Sequence, residues 1–330
     1  MRAPDFWQKG GALAKLLSPL GAIYGMSVAC KARHARPFDP HLPVICVGNL
    51  TAGGSGKTPV AITIAEMLRM KGHRPWFLTR GYGGRERGPA LASRGHSAAA
   101  MGDEALLLAR TAPTVVARDR AAGARLAREK GASVLVMDDG HQNFTLRKSL
   151  SLVVVDADAG FGNGCQIPAG PLREPVAQGL ARADAVILVG SEQNEDGCGA
   201  KRTQQGQPGL EAYRGPVLKA HLESEGAALS GKKVFAFAGI GRPEKFIASL
   251  EQSGAHVSGS CFFDDHHPYA DHEIAQLKML AGSALLVTTE KDFVRLSVEQ
   301  REGVKALKVS AIFDDGPALQ RLLDSAVPPV

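Results

Sequence analysis

Residues 47–58 read Val47-Gly-Asn-Leu-Thr-Ala-Gly-Gly-Ser-Gly-Lys-Thr58. The apolar run 43–47 before this stretch has strand character. The run 59–71 after it has helical character and is stopped by Gly72. A glycine-rich turn between strand and helix, ending in Gly-Lys-Thr, is the context of a phosphate-binding P-loop. Glycines let backbone N–H groups curl around phosphate oxygens, and the helix N-terminus adds the positive end of its dipole. In this reading Thr51, Ala52, Gly53, Gly54, Ser55, Gly56, Lys57 and Thr58 hold a nucleotide. Lys57 reaches the β- and γ-phosphates, and the Thr58 hydroxyl ligates Mg²⁺. Pro59 suits the first helical turn, where its missing N–H costs little. Thr51 stands where the P-loop consensus has glycine. No [NT]-K-x-D guanine-reading motif occurs, which favours ATP over GTP.

The same alternation continues outward. Strands are expected at 76–79, 115–117, 134–137, 152–155 and 185–189, with helices near 102–111 and up to 130 between them. Apolar strands separated by helices give a parallel sheet covered on both faces. Residues 191–215 are polar and glycine-rich and read as a surface loop or linker. A second α/β pattern follows: strands at 234–238, 257–262, 285–288 and 306–309, helices at 243–250, near 271–281 and near 292–300. The expected fold class is therefore α/β. A P-loop parallel-sheet domain is joined to a second, smaller α/β domain and preceded by an N-terminal membrane-surface helix. The expected segments are 1–36, 37–215, a linker at 216–233, and 234–330.

Composition agrees with this reading. The chain has 330 residues, 44% hydrophobic and 22% charged, which excludes wholesale disorder. The five cysteines are scattered without a CxxC pair, so neither a disulfide framework nor a zinc ribbon is expected, and a reducing compartment is the default. Residues 1–40 carry +4 of the net +6, leaving the rest nearly neutral; a nucleic-acid surface is not expected. Within 12–30 the longest uncharged run, Leu16 to Cys30, is 15 residues and contains Pro19. A spanning helix wants about 20 apolar residues. A cleaved signal peptide is a second reading, opposed by a P-loop that needs intracellular ATP. Phe6, Trp7, Leu13, Leu16, Leu17, Leu20, Ile23 and Tyr24, flanked by Lys and Arg, fit an interfacial helix, and a helix packed on the domain is the plain alternative.

Other candidates lie at strand ends. The strand 134–137 runs into Asp138 and Asp139, acids placed as in a Walker B motif; a turn cap is the simpler explanation. Asp103 and Glu104 open a helix, where capping alone would account for them. Asp264, Asp265, His266 and His267 follow a strand of the second unit, and a His–Asp pair can orient a base. Arg80 with Tyr82, and Arg173 in a proline-rich loop, offer cations for phosphates.

Together GNLTAGGSGKTP, TRGYGG, GDE, DDGHQN, PAGPLREP, FAGIGRPEKF, DHH and TTEKD, in this order, resemble the tetraacyldisaccharide 4′-kinase family. The resemblance runs from about residue 6 to about 295. It implies a phosphotransferase with an alcohol acceptor. The γ-phosphate of ATP passes, with Mg²⁺, to the 4′-hydroxyl of a tetraacyldisaccharide 1-phosphate, giving lipid IVA in lipopolysaccharide synthesis. It also implies a β-stranded linker, the inner-membrane surface on its cytoplasmic face in a Gram-negative bacterium, and no obligatory protein partner. Carried over by position, it makes Asp103 the catalytic base, paired with His266 beside Asp265. Lys57 and Thr58 bind phosphates and metal, Asp138 and Asp139 serve Mg²⁺, and Arg80, Tyr82 and Arg173 serve the acceptor. It departs at DDGHQN, where DDGxQH is expected, so Asn143 replaces a histidine. The competing reading is a partitioning-type ATPase switch on the membrane. Those loops carry a signature lysine where this chain has Ala52.

Overall fold

The computed structural model describes residues 4–93, 95–190, 209–241 and 243–329. Most of the loop expected at 191–215 lies outside them. Two helices lead, α1 (Phe6–Lys9) and α2 (Ala12–His34). The large unit follows as β1 (Val44–Gly48), α3 (Lys57–Met70), β2 (Pro75–Thr79), β3 (Ala90–Ala92), α4 (Ala98–Met101), α5 (Asp103–Leu108), β4 (Thr114–Val116), α6 (Arg120–Glu129), β5 (Val134–Asp138), β6 (Leu150–Asp156), α7 (Val176–Leu180), β7 (Ala185–Gly190) and β8 (Val217–Ser224). The smaller unit holds β9 (Lys233–Ala238), α8 (Pro243–Gln252), β10 (His256–Phe262), α9 (Asp271–Ala281), β11 (Leu285–Thr289), α10 (Glu290–Arg295) and β12 (Val304–Leu307). The chain then returns through β13 (Val309–Phe313) and α11 (Gly316–Ala326).

Nine strands form one sheet in the order β13-β8-β7-β6-β1-β5-β2-β4-β3, and four form a second, β10-β9-β11-β12. The second sheet is parallel throughout, and the first is parallel except at its two edges, β3 and β13. Strands β1 and β5 are buried at every residue, as helices on both faces of a parallel sheet demand. The chain leaves β1 toward β2 on one side and returns to β6 on the other. Ligands of open α/β sheets bind outside the carboxyl ends of strands at such a reversal.

Three features differ from the sequence reading. The helix expected near 102–111 is the shorter α5, and Gly102, whose φ is 87°, breaks it from a preceding short helix, α4, that was not expected. The linker segment is β-stranded, as the resemblance implies, but its strand β8 joins the large sheet parallel to β7. The segment expected at 234–330 keeps to the small sheet only as far as Leu307. β13 pairs antiparallel with β8, and Leu319 and Leu323 of α11 enter the core of the large sheet. The amphipathic stripe of α11 needs a cover, and the α3 face of the large sheet supplies it.

α2 spans 23 residues despite Pro19, and it is a helix long and apolar enough to cross a membrane by length and composition. Its buried residues are Ala14, Gly21, Gly25 and Val28, a single narrow stripe. Gly21 sits where a Cβ would come 2.8 Å from the Gln166 carbonyl oxygen, so helix and loop touch through backbone. The outward face is large and apolar: Leu16 is 75% exposed, and Leu13, Leu20, Ile23 and Met26 are exposed as well. Trp7 Nε1 donates to Pro168 O at 3.0 Å, tying α1 to the same loop.

Candidate active site

The P-loop joins β1 to α3. Gly53 and Gly56 take φ values of 118° and 80°, a backbone that side-chain-bearing residues rarely adopt. Among the described residues the amides of Gly53 to Gly56 make no backbone hydrogen bond. They are free to line an anion cradle at the start of α3. Asn49 braces the loop from below, its Nδ2 donating to Ser55 Oγ at 3.0 Å.

β5 lies beside β1 in register, Val47 opposite Asp138. Thr58 Oγ1 donates to Asp138 Oδ2 at 3.2 Å, while Asp138 Oδ1 is buried without a partner. Burial pushes the Asp138 carboxyl up to about 6, against the pull of Lys57. A buried, half-satisfied acid beside a threonine hydroxyl fits one more cation, so Thr58 and Asp138 fit Mg²⁺ completed by phosphate oxygens. Asp139 leaves the strand at φ 54° and turns toward two cations, Lys57 Nζ at 3.7 Å and Arg173 NH1 at 2.7 Å. Burial would raise its carboxyl, but Lys57 and Arg173 outweigh burial and hold it below the usual range. Burial likewise pushes Lys57 below the ordinary lysine range, with Asp139 opposing.

A second cluster joins the two units. His266, at φ 63° after β10, donates from Nδ1 to Asp103 Oδ2 at 2.7 Å, and its Nε2 lies 3.8 Å from Asp265. Asp103 opens α5. Burial would raise Asp103, but its bonds to His266 and Arg295 keep it below the carboxylate range. The bond to Asp103 lifts His266.

The structure thus brings Lys57, Thr58, Asp138, Asp139 and Arg173 together, and separately Asp103, His266 and Asp265. Arg80 and Tyr82 lie at the same carboxyl edge, after β2, but face solvent, and Tyr82 is 73% exposed. Neither enters a side-chain hydrogen bond among the described residues.

Several neighbours escaped the sequence reading. Gln142 donates to Asn49 O at 2.8 Å and to Glu174 Oε1 at 2.9 Å, and Glu174 is almost fully buried. That pair fixes the Arg173 loop against the phosphate loop. Arg120, buried behind the paired acids, donates to the Ala117 carbonyl, and burial lowers its guanidinium to about 10. Lys291 and Arg295 of α10 reach Glu104 and Asp103. TTEKD was visible as a motif; its long-range partners were not.

The family model described as tetraacyldisaccharide-1-P 4′-kinase matches residues 13–328. The chain belongs to that family. The tetraacyldisaccharide 4′-kinase of Paramagnetospirillum magneticum is 52% identical over 330 residues, covering 98% of each chain. That of Rhodospirillum rubrum is 49% identical, covering 99% of this chain and 98% of its own. The crystal structure of LpxK from Aquifex aeolicus in complex with ATP superposes with a TM-score of 0.77 at 26% identity. That match covers 96% of this chain and all of that one.

Within this kinase family frame, the departure at DDGHQN has a structural reading. His141 is fully buried, donating from Nε2 to Gly179 O at 2.9 Å and accepting at Nδ1 from Ser151 Oγ at 3.1 Å. Burial lowers it to about 3, so it is neutral. Asn143 exchanges hydrogen bonds with Thr145 at the surface. The unfolded chain binds a proton at His141 below about pH 6.5 and the native state does not until about 3. Stability at this residue is therefore lost as pH falls below 6.5, by up to about 1.4 kcal/mol per pH unit. Urea unfolding of His141→Gln should show a shallower loss between pH 6 and 4.5 than the parent; equal slopes would refute this.

Proposed function

We propose that this chain transfers the γ-phosphate of ATP to the 4′-hydroxyl of a tetraacyldisaccharide 1-phosphate, the lipid A kinase step of lipopolysaccharide synthesis. The observation that carries the site assignment is the 2.7 Å contact between Asp103 Oδ2 and His266 Nδ1, made between the nucleotide-binding unit and the smaller unit. The backbone of residues 53–56 and Lys57 hold the phosphates. Thr58 and Asp138 would hold Mg²⁺, which when bound neutralises charge on the phosphate oxygens. Asp139, fixed by Arg173, keeps Lys57 pointed at the loop. Asp103 Oδ1 accepts the proton of the 4′-hydroxyl as its oxygen bonds to the γ-phosphorus and the bond to the β-phosphate oxygen breaks. The transition state of phosphoryl transfer is loose, so the hydroxyl needs orientation more than a strong base. A carboxylate held at low basicity is adequate for that task. Arg80 and Tyr82, exposed at the carboxyl edge of the large sheet, are placed to meet the acceptor.

The membrane part of the reading rests on α2. Its stripe of small residues is occupied by the body of the protein, so lipid cannot surround it. This favours a helix lying in the cytoplasmic surface of the inner membrane, with Lys15, Lys31 and Arg33 toward anionic headgroups. We take residues 1–36 as the membrane segment and 37–215 as the nucleotide domain. Residues 216–233 with 309–326 link back to the large sheet, and 234–307 form the smaller domain. No protein partner is required. The switch-ATPase reading is not favoured, because it gives Asp103 and His266 nothing to do.

The test is transfer of labelled γ-phosphate to the lipid in mixed micelles; label released only as free phosphate would overturn the kinase reading. For the membrane, Leu16→Glu with Leu20→Glu and Ile23→Glu should weaken liposome binding about 10-fold or more, since each removes apolar burial worth about 1.5–3 kcal/mol. ATP affinity should stay unchanged. Unaltered liposome binding would dismiss the interfacial helix.

A further inference from the structure

Helix α10 presents two cations to α5. Lys291 Nζ donates to Glu104 Oε1 at 3.0 Å, and one turn on, Arg295 donates to Asp103 Oδ2 from Nε at 2.9 Å and from NH2 at 2.7 Å. Val294 packs between them against Met101, Ala105 and Leu106. Arg295 is planted from behind. Its NH1 donates to Asp292 Oδ1 at 2.7 Å and to Gly239 O at 2.9 Å, and its side chain is 4% exposed. Asp292 is itself fully buried and fixed, accepting from the Tyr269 hydroxyl at 2.9 Å, the Gly239 amide at 3.0 Å and the Thr289 hydroxyl at 2.6 Å. Thr289 caps α10 by accepting from the Asp292 amide, so the same acid starts the helix and seats the guanidinium.

Every described hydrogen bond to Asp103 falls on Oδ2: one from His266 and two from Arg295. Oδ1 is left for a ligand. We propose that Arg295, held by Asp292, is a positioning residue that clamps Asp103 Oδ2 beside His266 and so aims Oδ1 at the acceptor hydroxyl. This rests on the reading of Asp103 as the base. A planar guanidinium suits the task because its fork fixes direction as well as charge, which an ammonium cannot do. The clamp also spans the two units, since α10 belongs to the small sheet and α5 to the large one. The base is therefore aimed only when the small unit is docked.

The groups facing Asp103 are His266 with Asp265 behind it from the loop after β10, Arg295 and Lys291 from α10, and Glu104 on its own helix. Removing Arg295 takes away a cation that favours the carboxylate, and a cation that opposes protonation of His266. Both changes move the acid limb of the kcat profile to higher pH, whichever member of the coupled pair titrates first. In Arg295→Met, kcat should fall about 10- to 100-fold, the loss expected of a misaimed group. KM for ATP should change less than about twofold, because Arg295 touches nothing in the phosphate loop. Arg295→Lys should recover part of the loss. Unchanged kcat and acid limb in Arg295→Met would overturn the proposal. So would a loss of kcat with an unmoved limb and a lowered melting temperature, which marks a structural role. If Arg295→Met does not fold, Arg295→Lys decides alone, an unchanged kcat and limb overturning the clamp. Asp103→Asn, run in parallel, separates the two claims: if it keeps turnover, the assignment of the base fails first.

Discussion

Lys57→Ala should lose phosphate transfer, by on the order of 10³-fold in kcat, while the protein stays folded. The buried Lys57 ammonium is the cation of the phosphate loop nearest the paired acids, and the proposed mechanism puts it where charge builds on the transferring group. Its removal leaves the phosphate oxygens to the cradle amides alone, without a full countercharge. The fold survives for a reason visible in the same contacts. Burial already penalises Lys57, and Asp139 keeps its shorter contact to Arg173 at 2.7 Å. The loss of the lysine therefore does not strand a carboxylate. Labelled transfer to the lipid together with thermal unfolding reads both halves. Turnover within about tenfold of the parent would remove Lys57 from the phosphate site.

Asp103→Asn should cost roughly 10²- to 10⁴-fold in kcat, about 3–5 kcal/mol in barrier. The substitution keeps the size of the side chain, and its carbonyl oxygen can still accept from Arg295 and His266. It removes the anion that the proposed mechanism uses to take the hydroxyl proton and to draw the acceptor to its attack line. Binding of ATP should be nearly unaffected, because the nucleotide contacts lie on the β1–α3 loop. A kcat within about threefold of the parent would show that the hydroxyl proton leaves by another route.

The central strands and the phosphate loop were legible because burial on both faces writes unbroken apolar runs, as in 134–137 and 185–189, and because Gly-Lys-Thr needs a fixed setting. The pairing of β8 and β13 into the large sheet was not. Val217–Ser224 alternates with Lys219, His221 and Glu223 and reads as a linker. Its pairing with a segment 85 or more residues away is a tertiary fact. The same limit hid Arg295. Nothing local distinguishes it from a solvated helix end, and its partner Asp103 is 192 residues distant. The resemblance assigns both paired acids to Mg²⁺, yet successive side chains on a strand alternate in direction. Asp138 faces Thr58, while Asp139, just past the strand with a left-handed backbone, turns to Lys57 and Arg173.

The seat of α2 carries a consequence for reach. The loop that meets Gly21 at Gln166 also accepts the Ala52 amide at Pro171 O, at 2.8 Å, and donates from the Arg173 amide to Leu50 O at 2.7 Å. One end of a short loop is gripped by α2 and the other by the phosphate cradle. That loop is a ruler. With α2 in the membrane surface as proposed, it would set the height at which ATP is held above the bilayer, and therefore which hydroxyl of a lipid-anchored sugar comes level with the γ-phosphate.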